Sequence, residues 1–597
     1  MCAKVGRTLA LTTVSCIVLA CGEPESASSE APAATAGGKA DDPDAEAPEP
    51  VEGVADLHLH MFGEHAFGGA WLHGTHDGEI ADALVDCDGG GDHARLRDDL
   101  RPSLTPNSCE GMGFFELSWK MPLAGAMILA GGGVVGDRIG KIRGSDGDTG
   151  DHEDRTEGYP GFGGWPRWDT IAHQQAWEGQ LEDAWKAGLR LEVISAVSMG
   201  WLCNALPEEN RARPQCSEFD DVMVQLEAAH AFAERTEWAE IATTPGEARR
   251  IISEGKLALV LSVEADRVMD EFDDWRVPFE AFYDAGVRTL QPVHSLDNRF
   301  TGTAMHNEIF QLAQYTDTCH VENDCPSGIV LGFDVDEECR NSTGLHADGI
   351  ELIDEMMNRG MLVDTAHFSE RAMVDIFEIA RERDYYPIYI SHGHFRDIMR
   401  GEKGEQEKSS PAWAVDMIRQ TGGMFGLRTG PEATHTFRGG EVANTCAGSS
   451  RSFAQSYEFG RKALGVDIGL GADFNGFIQQ ARPRFGEDAC SDTFRGERVC
   501  QANAQEADAN APRLGTDFDE LGLAHTGLLM DLVKDIENMG ADTSQLYSSA
   551  ELYIRMWERA GAEREGAAAE PLDLEAVADQ IEIERDPARL DRFDCDL

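Results

Sequence analysis

Basic residues are scarce in this chain of 597 residues. Lysine and arginine together number 51, against 108 aspartates and glutamates, which gives a formal net charge of −57 at pH 7. Such an excess of negative charge argues against nucleic acid and against an anionic membrane surface as electrostatic partners. The sequence also has no Cys-x-x-Cys pair, which argues against a zinc site built from cysteines. Hydrophobic residues still make up 42% of the chain, which is enough for a sizeable core.

The N-terminus has the pattern of an export signal. Lys4 and Arg7 precede an apolar run at 9–20, which is too short to span a bilayer as a helix. The run ends in Val-Leu-Ala-Cys-Gly, which resembles the end of a bacterial lipoprotein signal. We therefore expect residues 1–20 to be removed and Cys21 to carry the lipid, with an ordinary secretory signal or an uncleaved anchor as the alternatives. The predicted location is the bacterial cell envelope, and the outer membrane is favoured because Gly22 stands where inner-membrane lipoproteins often have aspartate.

A low-complexity segment and the cysteines agree with export. Residues 22–52 are rich in alanine, proline and acidic residues and contain no aromatic residue, so we predict a disordered acidic tether over 21–52. An oxidising envelope permits disulfides. The candidate local pairs are Cys87–Cys109, Cys203–Cys216 and Cys490–Cys500, although spacing alone does not determine connectivity.

Beyond residue 53, short apolar runs alternate with helical stretches, a pattern typical of parallel strands joined by helical crossovers. Predicted helices include Thr170–Ala187, Phe219–Ala239 and Ala347–Asn358. Eight strands favour an α/β fold, a closed (β/α)8 TIM-like barrel. The predicted strands are Val54–Leu57, Leu189–Val197, Leu257–Val263, Val287–Val293, Met361–Thr365, Pro387–Ile390, Gly423–Leu427 and Ile468–Ala472.

The chain is long for such a barrel, which typically needs about 250 residues. We assign the barrel to 53–560 and an acidic C-terminal tail to 561–597. The excess length is placed in large βα-loop insertions at about 61–165, 299–345 and 474–515. Because βα loops lie over the active-site face of a barrel, these insertions are expected to shape the pocket.

Most predicted strands run directly into residues that can bind a metal. In a barrel these positions share one rim and point toward one site. Taken singly, each has an ordinary interpretation, since a strand-end histidine is more often a core or surface residue and aspartate is common in turns. Together they predict a site for two divalent ions that share a carboxylate, with zinc favoured by the imidazoles. The strand-end residues are His58, His60, Glu264, His294, His367, His392 and Asp473.

These residues lie in motifs that resemble the amidohydrolase superfamily and, more closely, the membrane (renal) dipeptidase family of zinc metallopeptidases. The resemblance covers roughly 250–560 and the motif at 56–60. The matching segments are 261–264 (LSVE), 286–294 (GVRTLQPVH) with Asn298, 344–349 (GLHADG), 358–367 (NRGMLVDTAH), 390–392 (ISH), 471–476 (GADFNG) and 522–527 (GLAHTG).

The resemblance implies a role for each site residue, and it implies hydrolysis of dipeptides or similar small amides. Asp473 is also expected to carry a proton from the attacking water to the leaving amine. In the implied arrangement His58, His60 and Asp473 hold one zinc ion, His367 and His392 hold the second, Glu264 bridges the two, and His294 contacts the scissile carbonyl.

The chain departs from the family pattern at three places. His60 stands where the dipeptidases usually have aspartate, and Asn475 stands where they have a second aspartate. The family uses an arginine after the second-zinc histidine to hold the substrate carboxylate, and here both Arg396 and Arg400 are candidates. The predicted substrate-binding residues are therefore His294, Arg396, Arg400 and Asn475.

Other hypotheses remain open at the level of sequence. The same centre could hydrolyse lactones or N-acyl amino acids, or the barrel could be inactive and serve as a surface-binding lipoprotein. A homodimer is among the assemblies considered, and the membrane is expected to be contacted only through the N-terminal lipid. Beside the main motif, His65, His73 and His76 could form a further metal site, but a solvated loop is the favoured interpretation.

Overall fold

Parallel strands close into a ring in the computed structural model. Among the described residues, eight strands pair in chain order, and the last pairs back with the first. The predicted barrel is therefore confirmed, with all eight strands close to their predicted positions. The strands are β1 Val54–Leu59, β2 Leu189–Ser198, β3 Leu257–Ala265, β4 Val287–Gln291, β5 Leu362–Asp364, β6 Ile388–Gly393, β7 Met424–Leu427 and β8 Asp467–Leu470.

The structure describes most of the chain beyond residue 48, with gaps. The described residues are 49–84, 166–170, 173–205, 208, 211–325, 328–486, 489, 493–494, 497–498, 512–561 and 569–582. The predicted signal at 1–20, the lipidation residue Cys21 and most of the predicted tether lie outside them. Within these ranges, no helix combines the length and the apolar character needed to cross a membrane.

Helices follow the strands around the ring. Their N-termini are capped as their sequences suggest, for example by Ser217, whose side chain accepts from the Asp220 N–H, and by Ser369, which accepts from the Ala372 N–H. The longer helices are α1 Glu178–Ala187, α2 Glu218–Arg235, α3 Pro245–Ser253, α4 Arg276–Asp284, α5 Glu308–Thr318, α6 Ala347–Asn358, α7 Glu370–Glu382, α8 Ala412–Gln420, α9 Ser450–Phe459, α10 Leu529–Asn538 and α11 Ser549–Gly561. Short helices lie at Ile80–Ala83, Gly200–Asn204, Phe518–Leu521, Ser544–Tyr547 and Leu574–Ala578.

The predicted helices differ in accuracy. Helix α6 has the predicted bounds, and Gly360 follows it with φ +67°, a left-handed conformation that suits glycine after a helix. The helix predicted over Phe219–Ala239 is wrong at its end, because α2 stops at Arg235 and a short strand, Ala239–Ile241, pairs with β3 outside the ring. Helix α1 begins eight residues later than the predicted Thr170.

Parts of the three predicted insertions pack against one another. The second contains α5 and an antiparallel hairpin, Val321–Cys325 with Gly328–Leu331. Phe67 and Trp71 of the first insertion each lie 5.9 Å, between ring centroids, from Phe477 of the third. Phe310 of the second insertion lies against the same apolar cluster, which we call the insertion cluster. Its buried members are Ala66, Phe67, Trp71, Val197, Met199, Leu202 and Ala205.

Two disulfides have both partners among the described residues. Cys203–Cys216, one of the predicted pairs, is formed, and Cys325–Cys339 is a second bond that the sequence did not predict. Cys319 and Cys446 are also disulfide-bonded. The predicted pairs Cys87–Cys109 and Cys490–Cys500 lie outside the described residues.

The ends of the described chain are tied to the barrel helices and loops. The backbone N–H of Val51, at the end of the predicted tether, donates to Glu551 on α11 (2.9 Å). Within the predicted C-terminal tail, Ile581–Glu582 pairs antiparallel with Thr436–Phe437, a loop segment after β7. Residues 583–597 lie outside the described part of the chain.

Candidate metal centre

The seven strand-end residues predicted from the sequence meet at the carboxyl end of the barrel, around Glu264. One carboxylate oxygen of Glu264, Oε2, lies 3.3 Å from His58 Nε2 and 3.0 Å from His60 Nε2. The other oxygen, Oε1, lies 3.1 Å from His367 Nε2 and 3.7 Å from His392 Nε2. A single carboxylate thus faces a pair of imidazoles with each oxygen, which is the arrangement of a ligand shared by two metal ions.

Within each pair the imidazoles present the same nitrogen to the centre. The Nε2 atoms of His58 and His60 are 3.0 Å apart, and those of His367 and His392 are also 3.0 Å apart. The opposite ring nitrogen of His60 donates to the carbonyl oxygen of Ser195 (2.8 Å). Such bonds to the outer nitrogen fix the tautomer and the ring orientation of metal-binding histidines.

The hydroxyl group of Ser391 contacts one imidazole of each pair. Its Oγ lies 3.0 Å from His58 Nδ1 and 3.0 Å from His392 Nδ1. These two histidines belong to different pairs, so the serine, which precedes His392 on β6, holds both halves of the centre in one geometry.

Asp473 completes the first pair from the turn after β8. Its Oδ1 lies 3.3 Å from His60 Nε2 and 3.9 Å from His58 Nε2, and its Oδ2 lies 3.9 Å from His392 Nε2. The residue has φ +52°, a left-handed conformation that aspartate tolerates better than most residues. Its other contacts are an ion pair with Arg428 and a hydrogen bond from Asn475 Nδ2 (3.0 Å).

His294 lies at the edge of the second pair. Its Nε2 is 3.8 Å from Glu264 Oε1, and its ring centroid is 4.5 Å from that of His367. Its Nδ1 faces Asp266 Oδ1 at 3.6 Å. Next to it, the half-buried His306 donates from Nδ1 to the carbonyl oxygen of Ala304 (3.0 Å) and packs 5.6 Å, between ring centroids, from His367.

The pKa shifts differ between the two halves of the centre, and the half around His58 and His60 is rich in charge. Burial raises the pKa of Glu264, but the imidazoles of His294 and His58 hold this pKa well below its usual range. Burial also raises the pKa of Asp473, and there Arg428 and His60 hold the pKa below its usual range. Burial lowers the pKa of His60, yet Asp473 and Glu264 raise it to about 10.

The second half has the opposite character. Burial, with the charge of Lys408, lowers the pKa of His367 and of His392 well below the usual value. Both rings are therefore neutral at pH 7 and keep a lone pair, which is the form that binds a metal.

The donor set fits two divalent ions. Glu264 Oε1 is buried and, within the described residues, receives no hydrogen bond of good geometry, although four imidazoles surround the carboxylate. Buried anions need a cation or hydrogen-bond donors, and imidazole with carboxylate is a ligand set that suits zinc. The ligand atoms of two triads, His58–His60–Glu264 and Glu264–His294–His367, each lie within 4.8 Å of one another.

Two cations of the centre were missed by the sequence reasoning. Arg428 follows β7 directly, so the strand-end rule that found the other residues also predicts its position. Lys408 comes from the loop after β6, and no strand-end position marks it. Its Nζ lies 3.2 Å from His392 Nε2 and donates to the carbonyl oxygen of Ala366 (2.5 Å), and burial lowers its pKa to about 7.

The predicted substrate-binding arginines, Arg396 and Arg400, both follow β6, and each has contacts of its own. Arg396 pairs with Glu370 (2.7 Å) and donates to the carbonyl oxygens of Gln406 and Glu407. Arg400 is held by its backbone N–H on the Ala433 carbonyl oxygen, beside His435. The same loop after β6 also carries Lys408, and the Nζ of this lysine contacts His392.

Asn475 is placed beside the centre, where it supports the turn. Its Oδ1 accepts from the N–H groups of Phe477 (2.8 Å) and Ile478 (3.1 Å), while its Nδ2 donates to Asp473.

Comparison with known proteins agrees with these motifs. Residues 313–483 match the family model described as membrane dipeptidase (peptidase family M19). This segment contains His367, His392 and Asp473, and the match confirms the resemblance found from the sequence. His58, His60, Glu264 and His294 lie outside it.

Curated relatives share part of the chain. A dipeptidase of Schizosaccharomyces pombe, described as uncharacterized, is 25% identical over 170 residues, which are 28% of this chain and 31% of that protein. Dipeptidase verJ of Clonostachys rogersoniana is 24% identical over 204 residues, 34% of this chain and 42% of that protein. An uncharacterized protein of Acinetobacter calcoaceticus is 23% identical over 203 residues, which are 34% of this chain and 52% of that protein. The chain thus spans about half or less of the length of the curated relatives it matches.

Two solved structures are distantly similar to this chain. The probable dipeptidase PvdM from Pseudomonas aeruginosa has 12% identity and a TM-score of 0.41, with 64% of this chain and 88% of that chain covered. A metallo peptidase from Rhodobacter sphaeroides, liganded with a phosphinate mimic of the dipeptide L-Ala-D-Ala, has 14% identity and a TM-score of 0.40, with 64% and 90% covered.

Proposed function

We propose that this chain is a metal-dependent hydrolase that cleaves dipeptides or similar small amides. The observation that carries the proposal is the position of Glu264, which faces one imidazole pair with each carboxylate oxygen. The match of residues 313–483 to the membrane dipeptidase family supports the same reaction class.

The residues that would hold two zinc ions follow from this arrangement. His58, His60 and Asp473 would hold one ion, His367 and His392 would hold the other, and Glu264 would lie between them. When bound, zinc lowers the pKa of water toward 7 and polarises a carbonyl oxygen.

His294 and Asp473 would be the two reacting side chains. His294, at the edge of the second pair and backed by Asp266, can donate to the carbonyl oxygen as negative charge develops there; donors of this kind contribute roughly 10²–10³-fold to kcat. Asp473 is held ionised by Arg428, so it can accept a proton from water and pass it to the leaving amine.

Lys408 replaces Arg396 and Arg400 in the proposed recognition of the substrate carboxylate. Its ammonium group lies at the second imidazole pair, whereas Arg396 is engaged by Glu370. A free carboxylate next to the scissile amide would pair with this cation, which favours dipeptides and other amides of amino acids over neutral substrates.

His60 supports a second candidate, the hydrolysis of N-acyl amino acids. The aspartate usual at this position in the dipeptidases is replaced by an imidazole, so the centre has one anionic group fewer to attract a free α-ammonium. An N-acyl amino acid keeps the carboxylate that Lys408 would bind and lacks the ammonium group.

The test is the release of amino acid by the zinc-loaded full chain from L,L and L,D dipeptides and from the matching N-acetyl amino acids, with a lactone alongside. His392→Ala should abolish release. His230→Ala is the matched control, because this imidazole lies on α2 and bonds to the Ala285 carbonyl oxygen. Release from dipeptides that His392→Ala removes would support the dipeptidase, and release only from N-acetyl substrates would support the alternative. Equal turnover in His392→Ala and in the parent chain would contradict both.

We also propose that the enzyme is anchored at the bacterial cell envelope through lipid on Cys21. The disulfides Cys203–Cys216 and Cys325–Cys339 support an oxidising location. Cys21→Ala should move the protein from the membrane fraction to the soluble fraction.

A further inference from the structure

A second cluster of metal-binding side chains lies in the loop after β1. The ligand atoms of Glu64, His65 and His76 all lie within 4.8 Å of one another. Glu64 Oε1 is the common member, because it bonds to His76 Nδ1 and lies 3.9 Å from His65 Nε2. None of the three residues is a ligand of the Glu264 centre.

The cluster is built with the supports that a metal site has. Gln174 Nε2 donates to the second oxygen of Glu64 (2.8 Å) and to the carbonyl oxygen of Met61 (3.1 Å), so the carboxylate is held in place. The His76 ring packs edge-on against Phe62, with 4.7 Å between centroids, and its outer nitrogen faces Asp77 Oδ2 at 3.9 Å. Outer contacts of this kind fix the orientation of metal-binding side chains.

The three side chains of the cluster differ in their exposure to solvent. Glu64 and His76 are buried, whereas the His65 side chain is 35% exposed. The partly exposed imidazole therefore leaves one member of the cluster open to solvent.

We propose that Glu64, His65 and His76 form a third divalent-cation site, with zinc as the preferred ion. Two imidazoles and one carboxylate are a known zinc ligand set, and water would complete the coordination. A hydrogen bond between Glu64 and His76 alone would also fasten the loop, but that bond gives no reason for a second imidazole beside the same oxygen.

The deciding measurement is the zinc content of the full chain, loaded with zinc and then passed through metal-free buffer, by mass spectrometry of the metal. Glu64→Gln and His76→Ala should each lower the content by one ion per chain. His73→Ala is the matched control, because this neighbouring histidine lies outside the cluster, and it should keep the parent content. Unchanged content in both cluster variants would overturn the proposal.

Two further variants keep the test decisive. If His76→Ala fails to fold, judged by circular dichroism, His65→Ala provides the same reading from a partly exposed position. In a His367→Ala background, which removes a ligand of the Glu264 centre, His65→Ala should still remove one further ion. That double variant separates the loop site from the proposed hydrolytic centre, so either can fail without the other.

Discussion

At the scale of single residues, Ser391 supports two imidazoles of the centre with one side chain. One hydroxyl contacts the outer nitrogens of His58 and His392, which belong to opposite imidazole pairs. Loss of that oxygen would free two rings to turn, and contacts to the outer nitrogen typically change metal affinity about 10–100-fold.

We therefore expect Ser391→Ala to weaken zinc binding by about 10–100-fold, measured by competition with a chelator. Ser262→Ala is the control, since this barrel serine is buried and its hydroxyl has no hydrogen-bond partner among the described residues. Equal zinc affinity in the two variants would contradict the role of Ser391.

Lys408 allows a second test at this scale. Lys408→Met should raise KM for a dipeptide by roughly tenfold or more with a smaller change in kcat, because a charge-assisted hydrogen bond contributes about 1.5–3 kcal/mol. Lys408→Arg should recover part of the loss. A fall in kcat with unchanged KM would show that the lysine acts on the metal ligands and not on the substrate carboxylate.

The sequence predicted the centre to the extent that strand ends determine it. His58, Glu264 and His367 directly follow or end apolar strands, so the barrel rule places them together without further information. Arg428, directly after β7, obeys the same rule. Lys408 could not be placed, because its position depends on the path of a loop between β6 and α8, and loop paths depend on tertiary contacts that no local pattern records.

At the scale of elements, the turn after β8 shows how a loop positions a reacting group. Asn475 fixes the turn with two accepted N–H bonds and donates to Asp473, whose φ is positive. The eight strands were predictable because buried parallel strands are continuous apolar runs. The strand Ala239–Ile241 was missed because it continues the helical stretch before it without a turn signal.

Asn475→Ala should lower kcat more than it changes KM, since Asp473 loses the partner that orients it. The free energy of unfolding should fall by about 1–3 kcal/mol, the typical effect of leaving polar groups without partners. Asn475→Asp keeps the acceptor for the two N–H groups but places a second carboxylate beside Asp473, so it should recover only part of the stability, as measured by urea unfolding.

His525 makes the short helix Thr526–Leu528 sensitive to acid. Its Nδ1 accepts from the Gly527 N–H (3.2 Å), and burial lowers its pKa to about 4. The unfolded chain takes up this proton near pH 6.5, so the folded state loses stability as the pH falls from 6.5 toward 4.

The loss from this residue should reach about 2 kcal/mol at pH 5. His525→Asn keeps a side-chain acceptor that does not titrate in this range. The urea midpoint of the variant should therefore fall less than that of the parent between pH 7.5 and pH 5. Parallel curves would contradict the assignment.

At the scale of the whole molecule, the proposed metal ligands of the centre join distant parts of the chain. They come from β1 and the residue after it, from β3 and β6, and from the turns after β5 and β8, so bound ions would link strands across the ring. An ion that binds only the folded state stabilises it by about 2.7 kcal/mol at a concentration 100 times its Kd.

Chelation should accordingly lower the Tm of the full chain by several degrees and restore it when zinc is added back. The His367→Ala chain should show a smaller fall, because one ion is already lost. A Tm that is the same with and without chelator would show that the fold does not depend on the ions.

The closure of the ring has a consequence for the order of events during synthesis. β1 pairs with β8, and Val51 bonds to Glu551, so the first strand acquires its final neighbours only after almost the entire chain has left the ribosome. Until then two open strand edges are exposed, and contacts this distant in sequence form slowly. A nascent chain of this protein should therefore depend on chaperones for longer than one whose neighbours in space are neighbours in sequence.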